Sequence, residues 1–588
     1  MLDSLRTEMK KANLDAYIVP GTDPHQSEYT DAHWQMRQWI SGFTGSAGTV
    51  VILKDRAGLW TDSRYFIQAE KELPKGEIEL FKMGEPDTPN LIDWLYEQLP
   101  NEACVGVNAQ QITVDQATSW KEKWAKKKIQ LVLDYDLIAA LWNDRPAPNI
   151  TSIIEHPLQY TGASTIEKLS EIRTLMKEKG ATHYLISSLY DIAWLFNIRA
   201  TDLPHCPVAT AYALVDETQA TLFLHQDHLT STAKEMLVQS GVHFKSYSAI
   251  FETLKTLSKK ETLYLDPQKT SAALHQLLSC TILTGTELTS LPKAIKNSTQ
   301  LTCWENVHLI DAVAMIRFWK WLETTLPNQP ISEWDAAKKI EEFRRSNPEC
   351  QDLSFPSISA YGANAAIVHY APKPNTSDRI QQEGLYLLDS GGQYFGGTTD
   401  ITRTFAVGKT TRQQRTDYTL VLKGLIQLSR AHFPKGTTGA NLDTLARQPL
   451  WEQGLDFKHG TGHGVGYYLN VHEGPQNFSQ NTRNSTPLKA GMVITIEPGL
   501  YRKNSHGIRL ENMVYIQEAQ ECERGSFHQI KTLTCVPFDT APLEQHLLTP
   551  LEKEWLNQYH QTVFEQLAPL LSSDEQTWLS TKTAPLFS

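Results

Sequence analysis

The sequence predicts a chain of α/β and α+β character: two related N-terminal α/β domains, each with a mixed sheet, ahead of a longer C-terminal domain. Three observations carry that expectation. Prolines and small polar residues stop regular structure across Asn143-Asp144-Arg145-Pro146-Ala147-Pro148-Asn149, and a second seam runs from Leu291-Pro292-Lys293 to Asn297-Ser298-Thr299. The two segments so divided look like weak copies of one another, since Asp15-Ala16-Tyr17-Ile18-Val19 followed by Trp39-Ile40-Ser41-Gly42-Phe43 parallels His183-Tyr184-Leu185-Ile186-Ser187 followed by Trp194-Leu195-Phe196-Asn197-Ile198. Beyond the second seam, apolar β-like runs end in carboxylates. The boundaries fall at residues 1–155, 156–297 and 298–588, in keeping with the three or so domains expected of 588 residues.

The C-terminal segment opens on a helix, because Ile310, Val313, Ala314, Phe318 and Trp321 follow helical spacing. The apolar run Leu385-Tyr386-Leu387-Leu388 ends in Asp389, and Asp400 opens Asp400-Ile401-Thr402-Arg403-Thr404-Phe405 after the glycine-rich turn Gly391 to Gly397, a β-hairpin pattern. Glu497 closes Met492-Val493-Ile494-Thr495-Ile496, where alternation sets Val493, Thr495 and Glu497 on one face and a core-like Met492, Ile494 and Ile496 on the other. Glu511 lies in the β-like run Ile508 to Val514, two residues from Arg509, so on a strand the two share a face. His463 follows His459 by four residues, but four glycines between Gly460 and Gly466 exclude a helix there and predict a tight loop or irregular strand.

A carboxylate at the end of a hydrophobic strand is costly to bury unless something positive meets it. Singly, such an Asp is a turn or cap residue, and such a Glu is a salt-bridged strand end. Together, Asp389, Asp400, Glu497, Glu511 and a neutral His463 carry a formal charge of −4, which two divalent cations would cancel. With four hard oxygen ligands and no cysteine, Mn²⁺, Co²⁺ or Zn²⁺ with carboxylate bridging is expected rather than a thiolate zinc site.

Composition excludes several classes. A net charge of −11 offers nucleic acid no footprint, and 40% hydrophobic with 21% charged residues is ordinary for a soluble globular protein. The first residues, Met1-Leu2-Asp3-Ser4-Leu5-Arg6-Thr7-Glu8, lack an apolar signal core, and no apolar run reaches membrane-spanning length. Seven scattered cysteines, Cys104, Cys206, Cys280, Cys303, Cys350, Cys522 and Cys535, suit reduced thiols in a cytosol. A cytoplasmic protein with no nucleic-acid or membrane partner is expected. His183, His205 and His225 carry no signal beyond that of hydrogen-bonded structural residues.

The run Ile367-Val368-His369-Tyr370-Ala371-Pro372, then LLDSGGQYFGGTTDITRTF, HGTGHGVGYYLNVHEGP, GMVITIEPGLY and GIRLEN, resembles in order and spacing the catalytic domain of the pita-bread metallopeptidases. Within that fold the chain resembles the long, three-domain form of the aminopeptidase P (Xaa-Pro aminopeptidase) family, nearly from end to end. The resemblance implies two creatinase-like N-terminal domains and a pita-bread catalytic domain with a C-terminal extension. It implies that Asp389, Asp400, His463, Glu497 and Glu511 hold two metal ions, with Asp400 and Glu511 bridging both, and manganese is the first expectation for their identity. His369 and His472 match histidines that touch substrate and the tetrahedral intermediate. His459, Tyr501 and Arg509 match residues near the pocket for the residue after the scissile bond, and Arg64, in Trp60-Thr61-Asp62-Ser63-Arg64, matches an N-domain arginine that reaches toward the peptide.

The chemistry implied is hydrolysis of the first peptide bond of peptides with proline second, through a hydroxide bridging the two ions, with Glu497 as general base and His369 or His472 at the oxyanion. A homodimer is implied by the resemblance alone. Two alternatives are a prolidase, which shares the ligand set but acts on Xaa-Pro dipeptides, and a non-catalytic pita-bread module that binds peptides. The two extra N-terminal domains disfavour the first, and the complete ligand set disfavours the second.

Overall fold

The computed structural model describes residues 1–134, 136–482, 486–519, 523 and 525–586. Cys522, Phe587 and Ser588 therefore lie outside the described residues. The chain divides into two compact units, one of residues 1–158 and 163–290 and the other of 159–162 and 291–588.

The first unit contains the internal copy in full. One six-stranded sheet runs in the order Glu79–Lys82, Ala57–Thr61, Thr49–Leu53, Ala16–Pro20, Cys104–Val107, Gln130–Val132; the other runs Val242–Ser246, Ala220–Leu224, Tyr212–Asp216, His183–Ile186, Thr262–Leu265, Thr281–Thr284. The pairing senses agree strand for strand. Ala16–Pro20 and His183–Ile186 are each antiparallel to one neighbour and parallel to the other, and the outer pairs are parallel. Ala16–Pro20 is buried on both faces, with Tyr17 and Val19 packing on Leu5 and Met9 while Ala16 and Ile18 pack on Leu95 and Val105. The paired motifs after these strands end helices Met36–Ser41 and Leu189–Leu195. Gly42 and Asn197, at matching places, take the same left-handed conformation, φ 73° and 50°, which glycine and asparagine tolerate best.

In the second unit, helix Ser298–Thr325 starts at Asn297, whose side chain caps the Gln300 amide. Its buried face runs through Trp304, Val307, Asp311, Met315, Phe318 and Leu322, so Val313 and Trp321 lie at the margin of the core and Ile310 is only partly buried. A three-stranded sheet of Ile358–Tyr361, Leu385–Ser390 and Ile401–Ala406 lies beside a six-stranded one in the order His432–Pro434, Phe527–Thr532, Asn512–Glu518, Val493–Ile496, Gly462–Gly464, Glu473–Phe478. One large core joins the helices to both: Tyr418, Leu422, Leu425 and Ile426 of helix Arg412–Ser429 share it with Leu388, Phe405, Met492, Ile494 and Ile496.

Three sequence expectations change in detail. The hairpin exists, Asp389 pairing with Thr402, but its connection holds two more short strands, Gly392–Tyr394 and Gly397–Thr398, which pair with each other. The run around Glu511 is two strands, His506–Arg509 and Asn512–Glu518, with Leu510 and Glu511 at the break, so Arg509 and Glu511 do not occupy one continuous strand. Val493 also sits in a core, a smaller one with Trp304, Val465 and Met513, because both faces of its strand are covered. Among the described residues no helix is long and apolar enough to cross a membrane, and the six described cysteines are free thiols.

Candidate metal centre

The second unit brings Asp389, Asp400, His463, Glu497 and Glu511 together around one point. Ligand atoms of Asp400, His463 and Glu511 all lie within 4.8 Å of one another. His463 Nε2 is 3.4 Å from Asp400 Oδ2 and 3.7 Å from Glu497 Oε1. Asp389 reaches the same group through Arg509, whose Nη2 donates to Asp389 Oδ2 at 2.5 Å.

Local sequence accounts for each placement. His463 lies in the short strand Gly462–Gly464, whose register slips between His463 and Gly464, and its amide donates to Thr495 Oγ1 at 3.0 Å. A Cβ on Gly462 would meet the Thr495 carbonyl at 1.8 Å, so only glycine lets this strand lie against its neighbour. Glu497 leaves strand Val493–Ile496 with its amide on Thr461 O at 2.7 Å. The break at Glu511 is held from two sides: its amide donates to Thr402 O at 3.1 Å, and Arg403 Nη1 donates to its carbonyl at 2.5 Å.

The electrostatics are those of an acidic cluster short of positive charge. Burial, reinforced by the nearby Asp400, pushes the Asp389 carboxyl up to about 6 in spite of Arg509. Burial likewise pushes Glu497 up to about 7 although His463 and Arg509 oppose it, and burial with three carboxylate neighbours holds Glu511 well above the usual range. For His463, burial works to lower the value, but Asp400 and Glu497 outweigh it and raise it to about 9. Asp389 Oδ1 is buried and makes no hydrogen bond among the described residues, a costly state for a carboxylate oxygen that a cation would relieve. Glu497 and His463 keep 19% and 22% of their side chains exposed, so the cluster opens outward on their side. Hard oxygens, one imidazole and an unmet carboxylate oxygen fit divalent cations.

Around the ligands, His472 stands edge-on to His463 with ring centroids 4.4 Å apart, and His369 is half-buried in the turn after residues 362–366. That turn is fixed from below, because a Cβ on Gly507 would meet the Ala365 carbonyl at 1.8 Å. His459 Nε2 lies 2.8 Å from the Tyr501 hydroxyl, which also accepts from Arg509 Nη1 at 2.9 Å. Burial pushes the Tyr501 phenol up to about 12 against the pull of Arg509, so it stays protonated. Arg64 belongs to the other unit, where its guanidinium forks onto Asp62 with two bonds of 2.8 Å.

Sequence reasoning passed over two residues that hold the cluster in place. Thr402 donates to Glu511 Oε2 at 2.8 Å and accepts from Arg509 Nε at 3.2 Å, while Arg403, fully buried, also reaches the carbonyls of Thr402, Val536 and Pro537. The signal for Thr402 was period two, which sets it on the same face as Asp400 two residues earlier; Arg403 points to the opposite face and left no such signal.

Known families and proteins match the chain along its length. The model for metallopeptidase family M24 matches residues 302–518 and that for the family's C-terminal region 526–586; creatinase/prolidase N-terminal domain models match 1–134 and 144–300. Aminopeptidase P2 of Arabidopsis thaliana is 39% identical over 612 residues, spanning 97% of this chain and 86% of that protein. The crystal structure of X-prolyl aminopeptidase from Caenorhabditis elegans, described as a cytosolic enzyme with a di-nuclear active site, superposes with a TM-score of 0.95 at 34% identity over 100% of this chain and 99% of its own. Xaa-Pro dipeptidase from Bacillus anthracis shares the fold only, with a TM-score of 0.52 and 23% identity over 64% of this chain and 99% of its own. An identity of 39% to a relative aligned over 97% of this chain, with M24 and creatinase-type models matched along its length, makes this chain a member of metallopeptidase family M24 in its aminopeptidase P group.

Proposed function

We propose that the protein is a metal-dependent aminopeptidase that hydrolyses the N-terminal peptide bond of peptides carrying proline in second place. The observation that carries this reading is the cluster of four carboxylates and one imidazole, with Asp389 Oδ1 buried and unmet. In this reading Asp389, Asp400, His463, Glu497 and Glu511 would hold two divalent ions, Asp400 and Glu511 contributing to both, with Mn²⁺ preferred to Co²⁺ or Zn²⁺. Such ions, when bound, polarise a peptide carbonyl and lower the pKa of water toward neutrality.

The chain's own residues do the rest. Glu497, whose side chain keeps one side of the cluster open, takes the proton of the attacking water and passes it on toward the leaving amine. His472 and His369 donate hydrogen bonds to the oxyanion that develops on the scissile carbonyl. Asp389 lies where the free α-amine of the substrate binds, which confines cleavage to the N-terminus. His459, Tyr501 and Arg509 pack the proline ring and hold the following carbonyl. An X-Pro bond has no N–H to offer, so recognition by ring packing suits it where main-chain pairing does not. The reading includes a three-part division at residues 155 and 297, a homodimer, and a cytosolic setting like that given for the nematode relative.

The test is the metal-stripped protein refilled with Mn²⁺, Co²⁺ or Zn²⁺ in turn and assayed on Xaa-Pro-Yaa tripeptides, Xaa-Ala-Yaa tripeptides and Xaa-Pro dipeptides. Cleavage of the first set well above the other two is expected. Strong turnover of dipeptides with little of tripeptides would make the protein a prolidase, and no turnover with any metal would make it a binding module.

A further inference from the structure

Helix Gly439–Trp451 carries a buried ion pair that the chemistry above leaves unused. Asp443 and Arg447 are 0% and 2% exposed, and Arg447 Nε donates to Asp443 Oδ2 at 2.7 Å. Two charges so deeply buried gain little over apolar residues of the same volume, so stability alone gives no reason for the pair.

What distinguishes it is where the other donors and acceptors go. Arg447 Nη1 donates to Phe457 O at 2.6 Å and to Asp456 Oδ1 at 2.9 Å, and Nη2 donates to His459 O at 2.8 Å. The guanidinium also lies 3.9 Å from the centroid of the Phe457 ring. Asp443 Oδ1 accepts the Thr461 hydroxyl at 2.5 Å. One turn of helix thus grips the segment 456–461 on both sides of His459, in a stretch with no strand or helix of its own. The His459 ring, set between Phe457 at 4.8 Å and Tyr501 at 5.4 Å, is aimed by that grip, and the same segment accepts the Glu497 amide at Thr461 O.

We propose that Asp443 and Arg447 form a positioning element that fixes His459 and thereby sets selectivity for proline after the scissile bond. The inference rests on the reading of His459 as a residue of that pocket. Arginine is required because its planar fork reaches a carboxylate and two carbonyls at once; a lysine at the same place keeps the charge and the bond to Asp443 but releases the loop.

Metal-loaded Arg447→Lys is therefore the informative variant, compared with wild type on Xaa-Pro-Yaa and Xaa-Ala-Yaa tripeptides, with metal content and thermal unfolding measured alongside. The variant retains its metal, KM for the prolyl peptide rises on the order of tenfold, kcat changes by less than about threefold, and the Pro/Ala ratio of kcat/KM falls on the order of tenfold. Thr461→Val, which removes only the contact to Asp443, shifts the same ratio in the same direction, and it decides the matter if Arg447→Lys does not fold. Because Arg447 acts through His459, the double variant Arg447→Lys/His459→Ala is no worse than His459→Ala alone. A variant that melts lower but keeps the wild-type Pro/Ala ratio overturns the inference, and so does an additive double variant. If His459→Ala also leaves the ratio unchanged, the pocket reading of His459 has failed; if His459→Ala lowers it and Arg447→Lys does not, only the positioning role has.

Discussion

Removing the metal should leave a protein whose stability depends on pH in a way the site geometry specifies. Asp389, Glu497 and His463 hold their protons to about 6, 7 and 9, against ordinary values of 3.8, 4.5 and 6.5. All three folded values are raised, so the stabilising protonated forms are fully present below the unfolded values and are lost as pH rises through the folded ones. A carboxyl displaced by two units or more represents about 3 kcal/mol at ~1.4 kcal/mol per unit, and because the two carboxyls interact they titrate as a pair rather than adding. Buried His560, pushed down to about 3 by burial and Arg403, has the opposite sign: its contribution is complete above 6.5 and is lost as pH falls. That contribution is the same with and without metal, so the difference between loaded and stripped protein isolates the site. With free metal held in excess, the gap between their melting temperatures should widen from pH 5 to pH 8 by on the order of 5 °C, and calorimetry in buffers of different ionisation enthalpy should register proton release on metal uptake. A gap that stays constant or narrows over that range, or uptake without proton release at pH 6.5, would refute the reasoning.

Other outcomes follow from the same geometry. Asp400→Asn should impair the binding of both ions, measured as metal per chain after dialysis; retention of two tightly bound ions would contradict a shared ligand. Glu497→Gln should abolish turnover even when metal occupancy is restored, while His369→Ala and His472→Ala should each lower kcat by on the order of 10²–10³ with metal content intact. If the histidine variants change KM alone, those residues hold ground state and transition state equally. Arg403→Met should destabilise the catalytic unit by at least about 1–3 kcal/mol, because the carbonyls of Thr402, Glu511, Val536 and Pro537 lose a buried donor; urea unfolding that moves by less than about 1 kcal/mol would show that water replaces it.

Much of this was legible in the chain because the informative signals are local. The glycine-rich stretch around His463 ruled out a helix, and the structure shows why it had to: Gly462 leaves room for the Thr495 carbonyl. The internal copy was legible for a similar reason, since a strand followed by a helix that ends in a left-handed residue leaves the same short trace at Gly42 and Asn197. What escaped was set by distant partners. Asp443 and Arg447 were passed over, since their i,i+4 spacing is that of any pair on a helix surface, and only the fold turns that surface toward the segment 456–461. The break at Glu511 escaped too, because nothing in Ile508 to Val514 disfavours a strand; Thr402 and Arg403, more than 100 residues earlier, impose it.

That break bears on how five ligands converge at all. Within a regular ladder, side chains stand perpendicular to the sheet and repeat every second residue, so ligands on neighbouring strands point in parallel and not at one another. Asp389 lies inside a regular paired strand, the central one of its sheet, and the other four ligands do not. Asp400 precedes Ile401–Ala406, Glu497 follows Val493–Ile496, Glu511 sits between two strands, and His463 is at a slip in register. Each departure frees one side chain to leave the perpendicular direction, and each is pinned by a buried partner: Met513 for the Asp400 amide, Thr495 for His463, Thr461 for Glu497, Thr402 and Arg403 for Glu511. The carboxylates repel one another, so without those pins the loose ends would spread apart whenever the cations leave. Those pins place the selective cost of mutation on neutral threonines and a buried arginine as much as on the ligands themselves.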